Sequence, residues 1–113
     1  MNKKVSVNTV QKLKNNGEKI SVLTAYDYST AKYIDEAGID IILIGDSLAM
    51  TALGYETTNS IGADEMEIFT KAVAKGANRA LVVTDMRFMS YHSSEAEAVT
   101  NVCRMVKAGA NAV

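Results

Sequence analysis

Short apolar runs alternate along this sequence with segments in which apolar residues recur at helical spacing. The run Ile41–Ile44 is continuously apolar, which is typical of a parallel strand covered on both faces and argues against an exposed antiparallel strand. Glycines stand at three similar helix-to-strand corners, Gly38, Gly76 and Gly109, about 35 residues apart. The pattern predicts repeated βα units and an α/β fold.

Caps, glycines and apolar periodicity predict the individual elements. Helices are expected over Thr9–Asn16 (capped by Asn8 or Thr9), from a cap at Ser29 or Thr30 to Gly38, from Asp64 to Gly76, and from Ser94 to Gly109. Strands are expected over Lys19–Ala25, Ile39–Gly45 and Arg79–Thr84, with a fourth from Ala110. The inner faces of the last two helices are predicted to be Met66, Phe69 and Val73, and Val99, Val102, Cys103 and Val106.

The number of units sets the architecture that we expect. A (β/α)8 barrel takes about 250 residues, whereas these 113 residues supply about three and a half βα units. We therefore predict that residues 1–113 are the N-terminal half of a (β/α)8 barrel, part of a single barrel domain. Such a half-barrel would leave strand edges unpaired.

Charge and composition exclude several classes of protein. Twelve basic and thirteen acidic residues are spread without blocks and give a net charge of −1, so neither nucleic acid nor an anionic membrane is a predicted partner. No apolar run approaches the about 20 residues of a membrane span. The basic start Met1–Val7 is not followed by the apolar core of a secretory signal, so a soluble, cytoplasmic chain is expected. A single Cys and a single His leave no Cys/His zinc site.

Two aspartates are the leading candidates for chemistry. Asp46 and Asp85 each directly follow a predicted strand, at the carboxyl end where barrel enzymes hold their active sites. If the two strands are neighbours, about 4.8 Å apart, the carboxylates converge on one cation. Oxygen ligands of this kind favour Mg²⁺. The alternative is that each Asp begins a turn or caps a helix.

Other polar residues near these aspartates have ordinary structural interpretations. Ser47 is suited to hold a substrate carboxylate, although a turn residue is the simpler interpretation. Thr24 and Tyr26 are candidates to line the same mouth, and Asp27 is expected to cap a helix. The remaining candidates are assigned structural roles: an exposed His92, a buried Cys103, solvated Lys71 and Lys75, and gap-filling Met66, Met86, Met89 and Met105.

Several segments together resemble the ketopantoate hydroxymethyltransferase (3-methyl-2-oxobutanoate hydroxymethyltransferase) family. The matching segments, in order, are Leu23–Lys32, Ile44–Leu48, Leu53–Tyr55, Thr70–Val73 and Asp85–Tyr91. The resemblance extends from about Val5 to Val113. Its Gly-Asp-Ser and Asp-Met-x-Phe-x-Ser-Tyr blocks are specific to the family.

The resemblance implies a (β/α)8 barrel, commonly a decamer, that binds Mg²⁺ and an α-keto acid. Asp46 and Asp85 match the metal-ligand aspartates, and Ser47 with these two matches the keto-acid site. The implied reaction transfers a hydroxymethyl group from 5,10-methylenetetrahydrofolate to 3-methyl-2-oxobutanoate in pantothenate biosynthesis. It proceeds through a magnesium-stabilised enolate and gives 2-dehydropantoate.

The chain departs from the family pattern at four positions. Arg87 stands for the usual Pro, Met89 and Ala49 for Gly, and Phe69 for a helix His. The family's keto-acid Lys, metal-region Glu and general-base Glu all fall beyond Val113, so we expect no turnover by these residues alone. Two alternatives stay open: a magnesium-dependent lyase or mutase of the phosphoenolpyruvate mutase and isocitrate lyase type, and a non-catalytic half-barrel that serves as an assembly module.

Overall fold

The computed structural model describes residues 3–113; Met1 and Asn2, the first residues of the basic start Met1–Val7, lie outside the described residues. Helices and strands alternate in the described part. The elements are α1 (Val7–Asn15), β1 (Val22–Thr24), α2 (Tyr28–Glu36), β2 (Ile41–Ile44), α3 (Leu48–Thr51), a 3₁₀ turn (Thr58–Ser60), α4 (Ala63–Gly76), β3 (Leu81–Thr84) and α5 (Glu95–Ala108). No helix among residues 3–113 has the length and apolar character needed to span a membrane.

The three strands form one parallel sheet in the order β1-β2-β3. Val22 lies opposite Ile41, and Ile41 lies opposite Leu81, so each crossover carries a helix, as parallel strands require. The predicted α/β class and parallel sheet are confirmed. The strand predicted from Ala110 is represented by a single parallel bridge between Val83 and Ala112.

The core lies between the sheet and α4. Ile42 and Ile44 of β2 and Val82 of β3 are fully buried against Met66 and Val73 of α4. Phe69 packs on the same cluster while partly buried, which confirms the predicted inner face of this helix.

A close contact between α2 and α4 depends on Gly76. A Cβ built on Gly76 would lie 2.5 Å from the Tyr28 carbonyl oxygen and 3.1 Å from Ala31 Cβ. Only glycine allows the two helices to approach this closely. Helices α2 and α4 are thereby held side by side.

A buried carboxylate on α2 organises the turn into β3. Asp35 accepts hydrogen bonds from the backbone N–H groups of Asn78, Arg79 and Ala80, with N···O distances of 3.1, 2.9 and 2.6 Å. Three N–H donors satisfy a carboxylate that would otherwise be costly to bury. Asp35 therefore sets where β3 begins.

The predicted inner face of α5 is wrong at three of its four residues, whereas Val102 is partly buried. Val99 and Val106 are 62% and 53% exposed, and Cys103 is also exposed, contrary to its expected burial. The helix buries the face that carries Asn101, Met105 and Ala108. The Asn101 amide donates to the Ser90 carbonyl at 2.7 Å, so a polar residue occupies an inner position and the apolar stripe faces outward.

Helix caps match a predicted residue at α2 and α5 and differ from prediction at α1 and α4. The caps are Ser6 for α1, Asp27 for α2 and Gly62 for α4, whereas Ser94 caps α5 as predicted. At α4 the Glu65 carboxylate accepts the Gly62 N–H, so the predicted cap Asp64 is not needed. At α2 the Asp27 carboxylate accepts the Thr30 N–H at 2.7 Å, which confirms the capping role expected for Asp27 and replaces Ser29 or Thr30.

Candidate active site at the carboxyl ends of the strands

The structure brings Asp46 and Asp85 together. Asp85 directly follows β3, Asp46 lies two residues after the end of β2, and the Asp46 N–H donates to Asp85 Oδ2 at 3.0 Å. Gly45 lies against both groups, since a Cβ built there would be in van der Waals contact with Asp85 Oδ2 at 3.5 Å and with Ser47 Oγ at 3.4 Å. The parallel register of β2 and β3 thus places both carboxylates at one edge of the sheet, as expected from the sequence.

The electrostatics of this pair suit a cation. Burial raises the pKa of the Asp46 carboxyl, and the neighbouring Asp85 carboxylate raises the same pKa further. Within residues 3–113 neither aspartate has an ion-pair partner. A divalent cation would offset the repulsion between the two carboxylates.

The number of carboxylates in this pair limits which metal ion the pair could hold. In the part of the chain that the structure describes, no cluster of three or more His, Cys, Asp or Glu residues is placed to hold a metal. Mg²⁺ is commonly held by one or two carboxylates together with water and substrate oxygens. Two carboxylates are therefore a ligand set of the size that Mg²⁺ commonly takes from a protein.

Ser47 lies beside the aspartate pair with its side chain exposed. It occupies the N-cap position of α3 without making a side-chain capping hydrogen bond. Asp46 and Ser47 both lie in the turn that the Leu48 N–H closes on the Gly45 carbonyl at 3.1 Å, so the turn interpretation is confirmed for these two residues, and the Ser47 side chain is not used as a cap. Its Oγ lies 3.0 Å from the Tyr26 hydroxyl. Tyr26 comes from the loop after β1, so the ends of all three strands contribute to this site.

The sequence did not predict the contact that Tyr26 makes at this site. Its motif placed it among several candidates at the mouth, but its contact with Ser47 joins segments that are 21 residues apart. Thr24, the other candidate from β1, lies exposed at the strand end.

The loop between β2 and α4 is held against the fold at two points. The Tyr55 N–H donates to the Ala49 carbonyl at 2.7 Å, and the Tyr55 hydroxyl donates to Glu65. The latter hydrogen bond lowers the pKa of Glu65 and raises that of Tyr55. Ala49, one of the departures from the family pattern, is fully buried.

The loop after β3 contains Arg87 and Met89, two more positions at which the chain differs from the family pattern. Arg87 donates through Nη1 to the Phe88 carbonyl at 3.0 Å, while its buried Nε has no acceptor among the described residues. Met89 has a left-handed backbone, with φ of +69°, and is 48% exposed, so it does not fill the core as expected. His92 is exposed as predicted and stacks on Tyr91, with ring centroids 4.3 Å apart.

The other residues assigned structural roles follow expectation. Met66 and Met105 are buried in the core, and Met86 packs against it while partly buried. Lys71 and Lys75 are exposed on α4.

Comparison with known proteins decides the family. Residues 4–113 match the family model for ketopantoate hydroxymethyltransferase. The chain belongs to the ketopantoate hydroxymethyltransferase family. It is 58% identical over 106 residues to a 3-methyl-2-oxobutanoate hydroxymethyltransferase of Clostridium novyi (strain NT), a match that covers 94% of this chain and 38% of that protein.

Further relatives carry the same name and show the same coverage. The chain is 52% identical to the enzyme named 3-methyl-2-oxobutanoate hydroxymethyltransferase of Thermoanaerobacter sp. (strain X514), covering 100% of this chain and 42% of that protein. It is 51% identical to that of Hyperthermus butylicus, covering 97% and 38%. The chain therefore spans about two fifths of the length of these family members.

One solved structure resembles this chain in fold. The crystal structure of oxaloacetate acetylhydrolase superposes with a TM-score of 0.70, covering 97% of this chain and 40% of that one. At 16% sequence identity this likeness concerns the fold alone. It agrees with the α/β arrangement and the parallel sheet described above.

Proposed function

We propose that residues 1–113 are the N-terminal half of a single (β/α)8 barrel that transfers a hydroxymethyl group to 3-methyl-2-oxobutanoate. The donor is 5,10-methylenetetrahydrofolate, and the products are 2-dehydropantoate and tetrahydrofolate, with one water consumed. The observation that carries this proposal is the convergence of Asp46 and Asp85 at the carboxyl ends of adjacent parallel strands, in a chain of this family.

The residues of the site have different roles in binding the metal ion and the keto acid. Asp46 and Asp85 hold Mg²⁺, and Ser47 donates a hydrogen bond to the carboxylate of the keto acid. When bound, Mg²⁺ acts as a Lewis acid that favours loss of the C3 proton from the keto acid. The general base implied by the family resemblance lies outside residues 1–113, so binding without turnover is the activity assigned to this segment.

The setting of the protein follows from the same resemblance. We place it in the cytoplasm as a homo-oligomer, a decamer by analogy with the family. Exposed apolar residues on β1 and α5, including Val22, Leu23 and Val106, support association with further polypeptide.

Equilibrium binding tests the proposal without requiring turnover. Mg²⁺ and 3-methyl-2-oxobutanoate are titrated by calorimetry into the chain and into its Asp46→Asn and Asp85→Asn variants. Loss of one carboxylate ligand is expected to weaken Mg²⁺ binding by about tenfold or more. Keto-acid binding is expected only with Mg²⁺ present.

The exposed loop residue Glu56 provides a matched control, since Glu56→Gln removes a carboxylate of the same loop outside the site. Keto-acid binding that is independent of Mg²⁺, or equal in all variants, would contradict the proposal. Magnesium-dependent binding of oxaloacetate in preference to 3-methyl-2-oxobutanoate would favour the lyase alternative.

A further inference from the structure

The hydrogen bond between Tyr26 and Ser47 links the ends of β1 and β2 at the candidate site. The Tyr26 ring is partly buried and packs against the core, while its hydroxyl lies 3.0 Å from Ser47 Oγ. The ring is therefore held by packing, and the hydroxyl is presented at a defined position. Among residues 3–113, Tyr26 is the hydrogen-bond partner that the structure gives to Ser47 Oγ.

The direction of this hydrogen bond follows from the chemistry of the two groups. A serine hydroxyl has one proton and two acceptor lone pairs. The 3.0 Å contact allows either hydroxyl to donate; because a phenol is a better donor than an aliphatic alcohol, we infer that Tyr26 donates and Ser47 accepts. The Ser47 proton is then left for another acceptor, and donation by Tyr26 strengthens Ser47 as a donor in its turn.

The surroundings of Ser47 indicate which group would accept its hydroxyl proton. Ser47 is exposed and adjoins the aspartate pair, whose carboxylates accept hydrogen bonds or a cation but provide no donor when ionised. An anionic substrate oxygen near the pair thus needs a donor from elsewhere.

We propose that Tyr26 is a positioning residue, which orients the Ser47 hydroxyl so that it donates to the carboxylate of an α-keto acid. This inference rests on the proposed function and adds to it a residue that acts through Ser47. Tyr26 fixes one rotamer of a side chain that would otherwise sample three.

A double-mutant cycle tests the inference on the whole chain. The variants are Tyr26→Phe, which keeps the packed ring, Ser47→Ala, and the two combined. At saturating Mg²⁺, Tyr26→Phe is expected to raise the dissociation constant for 3-methyl-2-oxobutanoate about fivefold. Its effect in the Ser47→Ala background is expected to vanish, because the two residues act through one hydrogen bond.

Two further measurements separate positioning from a structural role. The dissociation constant for Mg²⁺ and the thermal midpoint are expected to change little in Tyr26→Phe, because its hydroxyl contacts neither aspartate. Tyr33→Phe is the matched control, since Tyr33 is 71% exposed on α2. A fall in both Mg²⁺ affinity and thermal midpoint would assign Tyr26 a structural role and overturn the inference.

The outcomes also distinguish this inference from the function on which it rests. Keto-acid binding that is weakened by Ser47→Ala but unaffected by Tyr26→Phe would overturn the inference alone. Equal weakening by Tyr26→Phe in both backgrounds would show that Tyr26 acts without Ser47 and would also overturn it. Failure of the unaltered chain to bind the keto acid with Mg²⁺ would overturn the proposed function and the inference together.

Discussion

Tyr55 and Glu65 show how single residues hold the long loop that leads away from the candidate site. The Glu65 carboxylate accepts from the Tyr55 hydroxyl with one oxygen and from the Gly62 N–H with the other. It therefore closes the loop and caps α4 at the same time. Both contacts favour the ionised carboxylate, and its pKa lies below the ordinary value of 4.5, chiefly because of the Tyr55 hydrogen bond.

The lowered pKa of Glu65 predicts a particular dependence of stability on pH. A carboxyl group whose pKa falls on folding stabilises the fold above its ordinary pKa and loses that contribution as pH drops through the folded value. Tyr55→Phe is expected to lower the thermal midpoint by a few degrees at about pH 7, and the difference should shrink below about pH 4. Thermal unfolding across this range is the measurement.

Tyr33→Phe serves as the control because Tyr33 is highly exposed. The Tyr55 pKa is raised above its ordinary value of 10.0, first by the same hydrogen bond, so this contribution is also lost at strongly alkaline pH. A difference between Tyr55→Phe and the unaltered chain that stays constant down to low pH would contradict the assignment.

Helix α5 shows how packing selects one face at the scale of an element. Its buried residues, Asn101, Met105 and Ala108, recur at spacings of four and three, which is one face of a helix. The outward stripe, which includes Val99 and Val106, satisfies the same rule. Asn101 decides between the faces by its bond to the Ser90 carbonyl, and Met105 reaches the core beside the buried Thr70 hydroxyl.

Truncation of neighbouring residues on α5 distinguishes the two faces. Met105→Ala is expected to cost about 2–4 kcal/mol, because it opens a cavity in the core. Val106→Ala is expected to cost less than about 0.5 kcal/mol, as is usual for an exposed residue. Urea unfolding of both variants measures the difference, and a larger loss for Val106→Ala would restore the stripe as the buried face.

At the scale of the described chain, two apolar surfaces are left uncovered by residues 3–113. Strand β1 pairs with β2 alone, and its Val22 and Leu23 are each 49% exposed. The outward stripe of α5 forms the second surface. An unpaired strand edge and an exposed apolar helix face both favour association with other polypeptide.

These surfaces predict self-association that depends on concentration. Replacing Val99 and Val106 together by Lys is expected to reduce the associated fraction severalfold, because it places charge on the α5 surface. The thermal midpoint of the monomer should change little, since both side chains are exposed. Analytical ultracentrifugation measures the association.

The exposed α4 residue Lys75 offers a charge control in Lys75→Glu, which alters charge on a different helix. Unchanged association in the double Lys variant, or an equal effect of Lys75→Glu, would contradict a role for the α5 surface.

Local patterns account for the parts of the fold that could be predicted. The apolar run of β2, the glycines after the helices and the Ser94 cap are properties of short segments, and the structure confirms them. The strand-end positions of Asp46 and Asp85 likewise predicted their proximity. The caps at α1 and α4 could not be chosen correctly, because several neighbouring residues can cap and the sequence pattern does not rank them.

The amino-acid sequence by itself determined the alternation of helices and strands, the parallel class of the sheet and the edge at which the two aspartates meet. These follow from periodicity and chain order, which are local. Only the tertiary structure decided which face of α5 is buried, that Asp35 sets the start of β3, and that Tyr26 reaches Ser47. Each of these three features depends on contacts between segments that are distant in the chain. Two faces of a helix, or two neighbouring residues, can have the same local sequence pattern and still differ in which distant residues they contact.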